Sequence, residues 1–395
     1  MSFAQDLQKV LKENVREYGM FIALFVIIAF FGITTDGIFV SARNISNLLN
    51  QTGYIAVLGI GMTLVIVIRH IDLSVGFLAG FLGAVAAIAM EFWHLPVWIV
   101  IPLTLILGAI AGSITAFLVA KMNIPAFVAT LAGWLIYRGA ILVVTEGTGT
   151  IIISSDAFNA IGNGYIPDIS GLTALFPEKH VLTILIGIIA TILFVISAIK
   201  DRNAKKAYNF EVLPRNIFAL QLVFVSALFI GITWLLSGYN GLSWTVVVVL
   251  AVVMIYHFVT TKTVLGRHIY AVGGNPDAAE LSGVNVEKIT YAVFISMGML
   301  TALSGILFAS RLQSATTTAG NLFELDAIAA AFVGGVSVSG GVGKVTGAII
   351  GALVMMSLTN GMNLMGIGIS YQYIARGAVL VAAVIFDVAT RSSGK

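Results

Sequence analysis

Twelve apolar stretches, each nearly free of charge, dictate what this chain can fold into. They occupy residues 19–34, 53–68, 74–90, 96–119, 125–144, 181–199, 216–236, 241–260, 289–310, 325–338, 345–362 and 371–388. A helix needs about 20 apolar residues to cross a ~30 Å hydrocarbon layer. In lipid every backbone N–H and C=O must be satisfied within the structure itself. The fold class expected is all-α: a polytopic integral membrane protein with about 10–12 transmembrane helices, several of them broken or short. Composition agrees, because only 10% of the 395 residues are charged, against about 25% in a soluble chain. No stretch of polar sequence is long enough to hold a separate soluble domain.

The basic residues orient the spans. With the N-terminus inside, sixteen of the 21 Lys and Arg residues fall in cytoplasmic stretches, and five (Arg43, Arg138, Lys179, Arg311, Arg376) fall outside or near the outer face. This is the bias that sets membrane topology, and it places both termini in the cytoplasm. Trp93, Trp98, Trp234, Trp244 and Tyr371 fall at outer span ends, as an aromatic belt requires. Residues 1–18 read as a cytoplasmic amphipathic helix, uncleaved, ahead of a membrane domain over 19–390. The net charge of +3 follows from the positive-inside bias and implies no nucleic-acid partner. The chain has no cysteine, which excludes disulfides, thiolate metal sites and thiol catalysis. Its five histidines are not paired at metal-ligand spacing, so neither a metal nor a cofactor is expected.

Three polar interruptions carry the chemistry. The first, KTVLGRHIYAVGGNPDAAELSGVNVEK over 262–288, separates two strongly apolar spans. Gly273 and Gly274 are expected to break the chain, with Asn275 as N-cap and Pro276 at the first helical position. Asp277 and Glu280 suit the first turns, and Gly283 the stop. A capped helix of about seven residues is unstable alone, so it must be held by adjoining spans or docked into a partner. The second is RHIDLSVG at 69–76, where Asp72 or Ser74 is expected to cap the next helix. It reads either as a hairpin turn with a snorkelling Arg69, or as an inner gate or second partner contact. The third is 323–345, where Glu324 and Asp326 suit the positive end of a helix. Only about fourteen apolar residues follow, short for a full crossing, so the stretch reads either as a half-helix or broken span or as a short tilted helix with capping acids. Its GGVGKVT resembles a phosphate loop, but Val338 stands where Gly is required and Val345 where Ser or Thr is required. No nucleotide site is encoded there.

Glycines recur four apart at Gly76 and Gly80, at Gly108 and Gly112, and at Gly343, Gly347 and Gly351. That spacing bares one helix face for close packing or for a smooth path wall. Residues 146–180 and 311–321 lie outside, as connectors or as contacts for a soluble protein. The triplet Asn44-Ile45-Ser46 fits a glycosylation pattern that is common by chance.

GRHIYAVGGNPDAAELSGVNV resembles the cytoplasmic loop of bacterial ABC monosaccharide permeases, the group serving ribose, xylose, galactose and arabinose. HIDLSVG at 70–76, NIPAFVATLAG at 123–133 and FELDAIAAAFVGGVSVSGGVGKVTGAIIGA at 323–352 resemble the same family in the same order. The likeness is strongest to its longer multiple-sugar and xylose branch, which carries an additional membrane region, here about 190–250. The resemblance implies the ABC importer permease fold and a coupling helix that fits a cleft on an ATP-binding subunit. Its docking surface would be Gly273, Gly274, Asn275, Pro276, Asp277, Ala278, Ala279, Glu280, Leu281 and Gly283. Asp72, Ser74, Asn123, Glu324, Asp326, Ser337 and Ser339 are candidates for the gate or path. Implied partners are the ATPase, a periplasmic or lipid-anchored sugar-binding protein, a second permease copy and the lipid of the bacterial inner membrane. The expected function is import of a pentose or hexose, with no catalytic residues. The alternative, an ion-coupled carrier or channel, would bury a titratable side chain mid-membrane. No acid is expected there, and a neutral sugar needs no intramembrane ion pair.

Overall fold

The computed structural model describes residues 15–169, 171 and 176–392. The amphipathic helix expected over 1–18 lies almost wholly outside the described residues. In chain order the helices are α1 (Val15–Thr34), α2 (Ala42–Val67), α3 (Val75–Glu91), α4 (Val97–Ala116), α5 (Ala126–Thr145) and α6 (Asp156–Asn163). There follow α7 (Val181–Ala207), α8 (Arg215–Ser237), α9 (Trp244–Lys262), α10 (Val264–Gly274) and α11 (Pro276–Leu281). The last are α12 (Val286–Leu312), α13 (Phe323–Val333), α14 (Val345–Leu364) and α15 (Ile369–Ser392). Among the described residues nine helices are long and apolar enough to cross a membrane, joined by the shorter apolar stretches Tyr18–Thr34 and Val75–Glu91. The remaining apolar stretch, 325–338, holds α13, a half-helix of 11 residues. At 1.5 Å per residue it covers about half of the hydrocarbon layer.

Helix α12 is the axis, packed against α4, α3, α2 and α6. The glycine spacing explains how close these helices come. A Cβ at Gly108 would overlap the Gly298 carbonyl, and one at Gly112 the Phe294 carbonyl. The small-residue face of α4 therefore packs backbone to backbone on α12, as small residues permit in lipid. Gly347 and Gly351 of α14 meet the carbonyls of Gly334 and Ala330 in the same way. By contrast α7 and α8 form a peripheral hairpin, with only 11% and 6% of their apolar windows buried. Phe224 of α8 meets Phe25 of α1 edge-on at 5.8 Å.

Helix α2 corrects the expected span of 53–68, since it starts eleven residues earlier, at Ala42. Ser41 caps it by accepting from the Asn44 N–H. Hydropathy assigned this stretch to a loop because Asn44, Asn47, Asn50 and Gln51 are polar. The fold gives Asn44, Asn50 and Gln51 partners on other helices instead. Asn44 and Asn360 exchange side-chain hydrogen bonds at 2.9 and 3.2 Å, and Ser243 donates to Asn50. Asn44 is buried in this exchange, so the glycosylation triplet is helix interior.

The two connectors expected outside meet through residues 151–152 and 314–315. Ile151 pairs with Ala315 and Ile152 with Ser314 in a two-residue antiparallel ladder, the one sheet among the described residues. Helix α6 closes over α12, where Ser310 Oγ accepts from the Gly162 N–H and donates to the Phe158 carbonyl. Trp93, Trp98, Trp234, Trp244 and Tyr371 are exposed, as interfacial aromatics are.

The α4–α12 contact gives a direct test. Gly298→Val should cost about 1–3 kcal/mol by overpacking and lower the melting temperature of the purified protein. Gly139→Ala, which meets open space on α5, should leave it unchanged or higher.

Candidate functional site

Two spans are broken, and their helices start facing each other inside the membrane layer. The chain leaves α2 at Val67, runs without helix through 68–74, and only then begins α3. It leaves α12 at Leu312, turns through 313–322, and begins α13. Phe323 packs on Tyr54, near the middle of α2, at 4.8 Å. The Trp134 indole, near the middle of α5, donates to Glu324 Oε1 at 3.0 Å. The first turn of α13 therefore lies at mid-depth. Against it stands the first turn of α3, where a Cβ at Gly76 would overlap Glu324 Oε2. Gly320, with φ +84°, takes a left-handed turn that brings its own backbone onto Gly76. Two positive helix ends thus share one region, and acids offset them.

Asp72 is buried and accepts from both the N–H and the hydroxyl of Ser74, at 2.9 and 2.6 Å. This corrects the expected cap, because Asp72 closes a local turn and Ser74 makes no side-chain cap bond to α3. Thr130 Oγ1 of α5 donates to the Ile71 carbonyl at 3.3 Å, holding the non-helical lead-in. Glu324 is buried, and its Oε2 has no hydrogen-bond partner. Asp326 is paired with Arg376 of α15 at 3.2 Å. That pair overturns two expectations. Arg376 is not near the outer face, and the spans do contain an ion pair. Arg138 is also drawn inward, donating to the Thr317 carbonyl at 2.6 Å and lying 5.0 Å over the Phe77 ring. Hydropathy missed both arginines because each sits one to two turns from a helix end and reaches inward. A single sequence does not display the partner at the other end.

The other candidate path residues lie elsewhere. Ser337 is fully buried in a turn after α13, where its hydroxyl and the Val338 N–H donate to Asp387 at 3.3 Å. Ser339 is exposed beside it. Asn123 is exposed with φ +54°, turning the chain between the π-helical segment Phe117–Lys121 and α5. Asp72, Ser74 and Glu324 are thus gathered around the starts of α3 and α13, whereas Asp326, two residues further on, turns to Arg376 of α15. Ser337, Ser339 and Asn123 join neither.

At the end expected to face the cytoplasm, a compact unit binds both broken spans. Helix α10 ends at Gly274, and the chain breaks at Asn275 (φ −154°) rather than at the two glycines expected to break it. Gly273 is needed for close approach instead, since a Cβ there would overlap the Val67 carbonyl at the end of α2. Asn275 Oδ1 accepts from the Ala278 N–H at 3.1 Å and starts α11, with Pro276 at its first position. Gly283, at φ +86°, turns the chain toward α12. Arg69 (φ +67°) directs Nε to the Gly273 carbonyl at 2.7 Å and Nη2 to the Gly274 carbonyl. Its guanidinium caps the negative end of α10, a role the sequence reading did not give it. On the other side the Tyr270 hydroxyl donates to the Gly343 carbonyl at 2.6 Å, and the Gly341 N–H donates to the Val67 carbonyl at 2.9 Å. So α10 grips the segment 68–74 through Arg69 and the segment 334–344 through Tyr270. The His70 ring is part-buried here, its centroid 5.9 Å from that of Phe294.

The surface of α11 is open. Asn275, Asp277, Ala278, Glu280 and Gly283 are exposed, Ala279 is buried against the fold, and Leu281 is 90% exposed. A leucine presented fully on a six-residue helix is a feature that a docked partner would cover.

The comparisons with known proteins fit this geometry. Residues 44–384 match the family described as branched-chain amino acid transport system / permease component. The xylose transport system permease protein XylH of Haemophilus influenzae is 40% identical over 383 residues, covering 97% of this chain and 99% of the relative. Its namesake in Escherichia coli is 40% identical over 380 residues, covering 96% and 93%. The ribose import permease protein RbsC of Haemophilus influenzae is 36% identical over 374 residues, covering 94% and 93%. No solved structure matches.

The Arg69 fork yields a measurable expectation. Hydrogen bonds from a charged donor contribute about 1.5–3 kcal/mol each, and Arg69 is exposed enough to sit at the low end. Arg69→Gln should speed amide hydrogen exchange across 264–283 while leaving exchange in α12 unchanged.

Proposed function

The chain belongs to the branched-chain amino acid transport system permease family, on its sugar-importing side, and from that premise we propose the following division of labour. It is the permease subunit of an ABC importer and carries a monosaccharide across the membrane. The observation that carries this reading is the α10–α11 unit, an exposed docking helix linked by hydrogen bonds to both broken spans. A separate ATP-binding subunit covers Gly273–Gly283, with Leu281 as the apolar anchor and Asp277 and Glu280 as charged flanks. Nucleotide-driven movement of α11 then pulls on 68–74 and 334–344 together. Those two segments lead into or out of the helices whose first turns abut at mid-depth. The path opens around α13, with Asp72, Ser74 and Glu324 on the side of α3 and α5 and Asp326 on the side of α15. A ligand that prefers one arrangement shifts the population toward it, and ATP supplies the bias. With no phosphate loop of its own, the chain takes that energy from its partner.

A periplasmic or lipid-anchored sugar-binding protein docks on the outer cap, where 146–180 pairs with 311–321 and presents Ile152 at 74% exposure. A second copy of the permease completes the assembly, with lipid around it. Both termini lie in the cytoplasm. Residues 19–390 act as one permease domain, with 262–288 as its coupling loop. The peripheral hairpin inside 181–237 belongs to the additional region assigned to 190–250. An ion-coupled carrier is the second reading, favoured by the buried acids Asp72, Glu324 and Asp326, of which Glu324 has an unpartnered oxygen that would suit a proton site.

Copurification and uptake decide between them. Leu281→Asp, or Asp277→Lys combined with Glu280→Arg, should abolish capture of the ATPase and uptake of sugar while leaving the melting profile of the permease unchanged. Uptake that survives these changes and runs on a proton or sodium gradient without ATP would support the carrier reading.

A further inference from the structure

The Asp326–Arg376 pair has unspent hydrogen-bonding capacity. Arg376 Nη1 lies 3.2 and 3.4 Å from the two Asp326 oxygens, longer than the about 2.7–2.9 Å of a tight charge-assisted bond. Arg376 Nε donates to Thr359 Oγ1 at 3.1 Å. Among the described residues, Nη2 makes no hydrogen bond. Burying such a pair among apolar spans costs several kcal/mol unless other bonds complete it. A purely structural clamp would close more tightly.

The pair forms one wall of a cavity of about 130 Å³ between α13, α14 and α15. Leu325, Ala329, Met355 and Leu380 make apolar walls, and the Tyr373 ring stands at its side. The site thus combines donors and acceptors on one side with hydrocarbon and an aromatic ring on the others. The two charges neutralise each other, so the wall offers hydrogen bonds without a net field. Such a wall does not attract a free cation or anion. It suits a neutral polyhydroxyl molecule, whose hydroxyl edge meets the pair and whose C–H face meets the ring.

We propose that this cavity is a transit subsite for the sugar near the membrane midplane. Asp326 accepts from its hydroxyls, Arg376 donates to them, and Tyr373 covers its apolar face. The proposal rests on the sugar-permease reading and adds the place and the residues. Weak, incomplete pairing fits a subsite that must release what it binds.

The absence of native cysteine makes the test direct. Gly377 lines the cavity, and a Cβ there meets nothing within 4 Å, so Gly377→Cys fits. Ile374→Cys, on an exposed part of α15 outside the cavity lining, is the control. The full transporter in nanodiscs is labelled with a small neutral methanethiosulfonate in the presence of D-xylose, D-ribose or zwitterionic leucine. A sugar at twice its dissociation constant should slow Gly377→Cys labelling about threefold, because occupancy protects as 1 + [L]/Kd. Labelling of Ile374→Cys should not change. Asp326→Asn or Arg376→Gln should abolish the protection. Tyr373→Ser, an exposed change that spares the core, should reduce it. Labelling that no sugar slows, protection by leucine equal to that by sugar, or protection intact in folded Asp326→Asn and Tyr373→Ser chains overturns the subsite. ATP-fuelled sugar uptake by the unsubstituted, cysteine-free transporter is the separate control. Uptake with sugar-insensitive labelling defeats only the subsite, whereas a transporter with no ATP-driven uptake at all defeats the permease reading and the subsite with it.

Discussion

Everything in this fold answers to one constraint, that no backbone amide or carbonyl inside lipid goes unpaired. Ordinary spans meet it by being helical. The segments 68–74 and 313–322 do not, and the rest of the architecture shelters them. Thr130 of α5 reaches the Ile71 carbonyl, and Arg138 of the same helix reaches the Thr317 carbonyl. Asp72 takes up the Ser74 amide. One outer helix thus services both breaks, which explains why a helix so exposed on its other face carries a threonine, a tryptophan and an arginine on its inner one.

The breaks are also where the chain can rearrange. A straight helix resists change because each hydrogen bond supports the next. A turn held by a few side-chain bonds has alternatives of similar free energy. Both turns open onto the same mid-depth contact, and both spans are gripped from α10. Sheltered irregular backbone is therefore concentrated where transport requires two states, and regular helix is placed where it requires none. The peripheral α7–α8 hairpin shows the other extreme, with neither breaks nor deep contacts.

Much of this was legible in the residues. Apolar runs gave the all-α membrane fold, and the shortness of the run after Asp326 left a half-helix as one of two readings. The Asn275-Pro276 start and Gly283 exit of α11 could be read from capping chemistry alone. Hydropathy failed at the outer half of α2, because it scores asparagines as exposed when their partners are asparagine and serine on other helices. It failed for Arg138 and Arg376 for the same reason: a charge is tolerable in a span when a partner supplied by another helix completes it. Arg69 was misread more subtly. A basic residue at a span end has a sufficient explanation in the membrane surface, and only the fold reveals the two carbonyls at the end of α10. Pairing across distant positions is a property of the folded chain, and local pattern carries no trace of it.

Arg69 also makes communication run both ways. Two hydrogen bonds join the end of α10, next to the proposed docking helix α11, to the segment that leads into α3, so whatever free energy a partner on α11 exerts on the path, the path exerts on the partner. Linkage requires the two effects to be equal. A sugar held at mid-depth must then alter how tightly the cytoplasmic subunit grips the permease by the same factor by which that grip alters the sugar's hold. On the proposed reading, the transporter registers its cargo at the nucleotide end without a sensor of its own, through the bonds that Arg69 and Tyr270 make at α10.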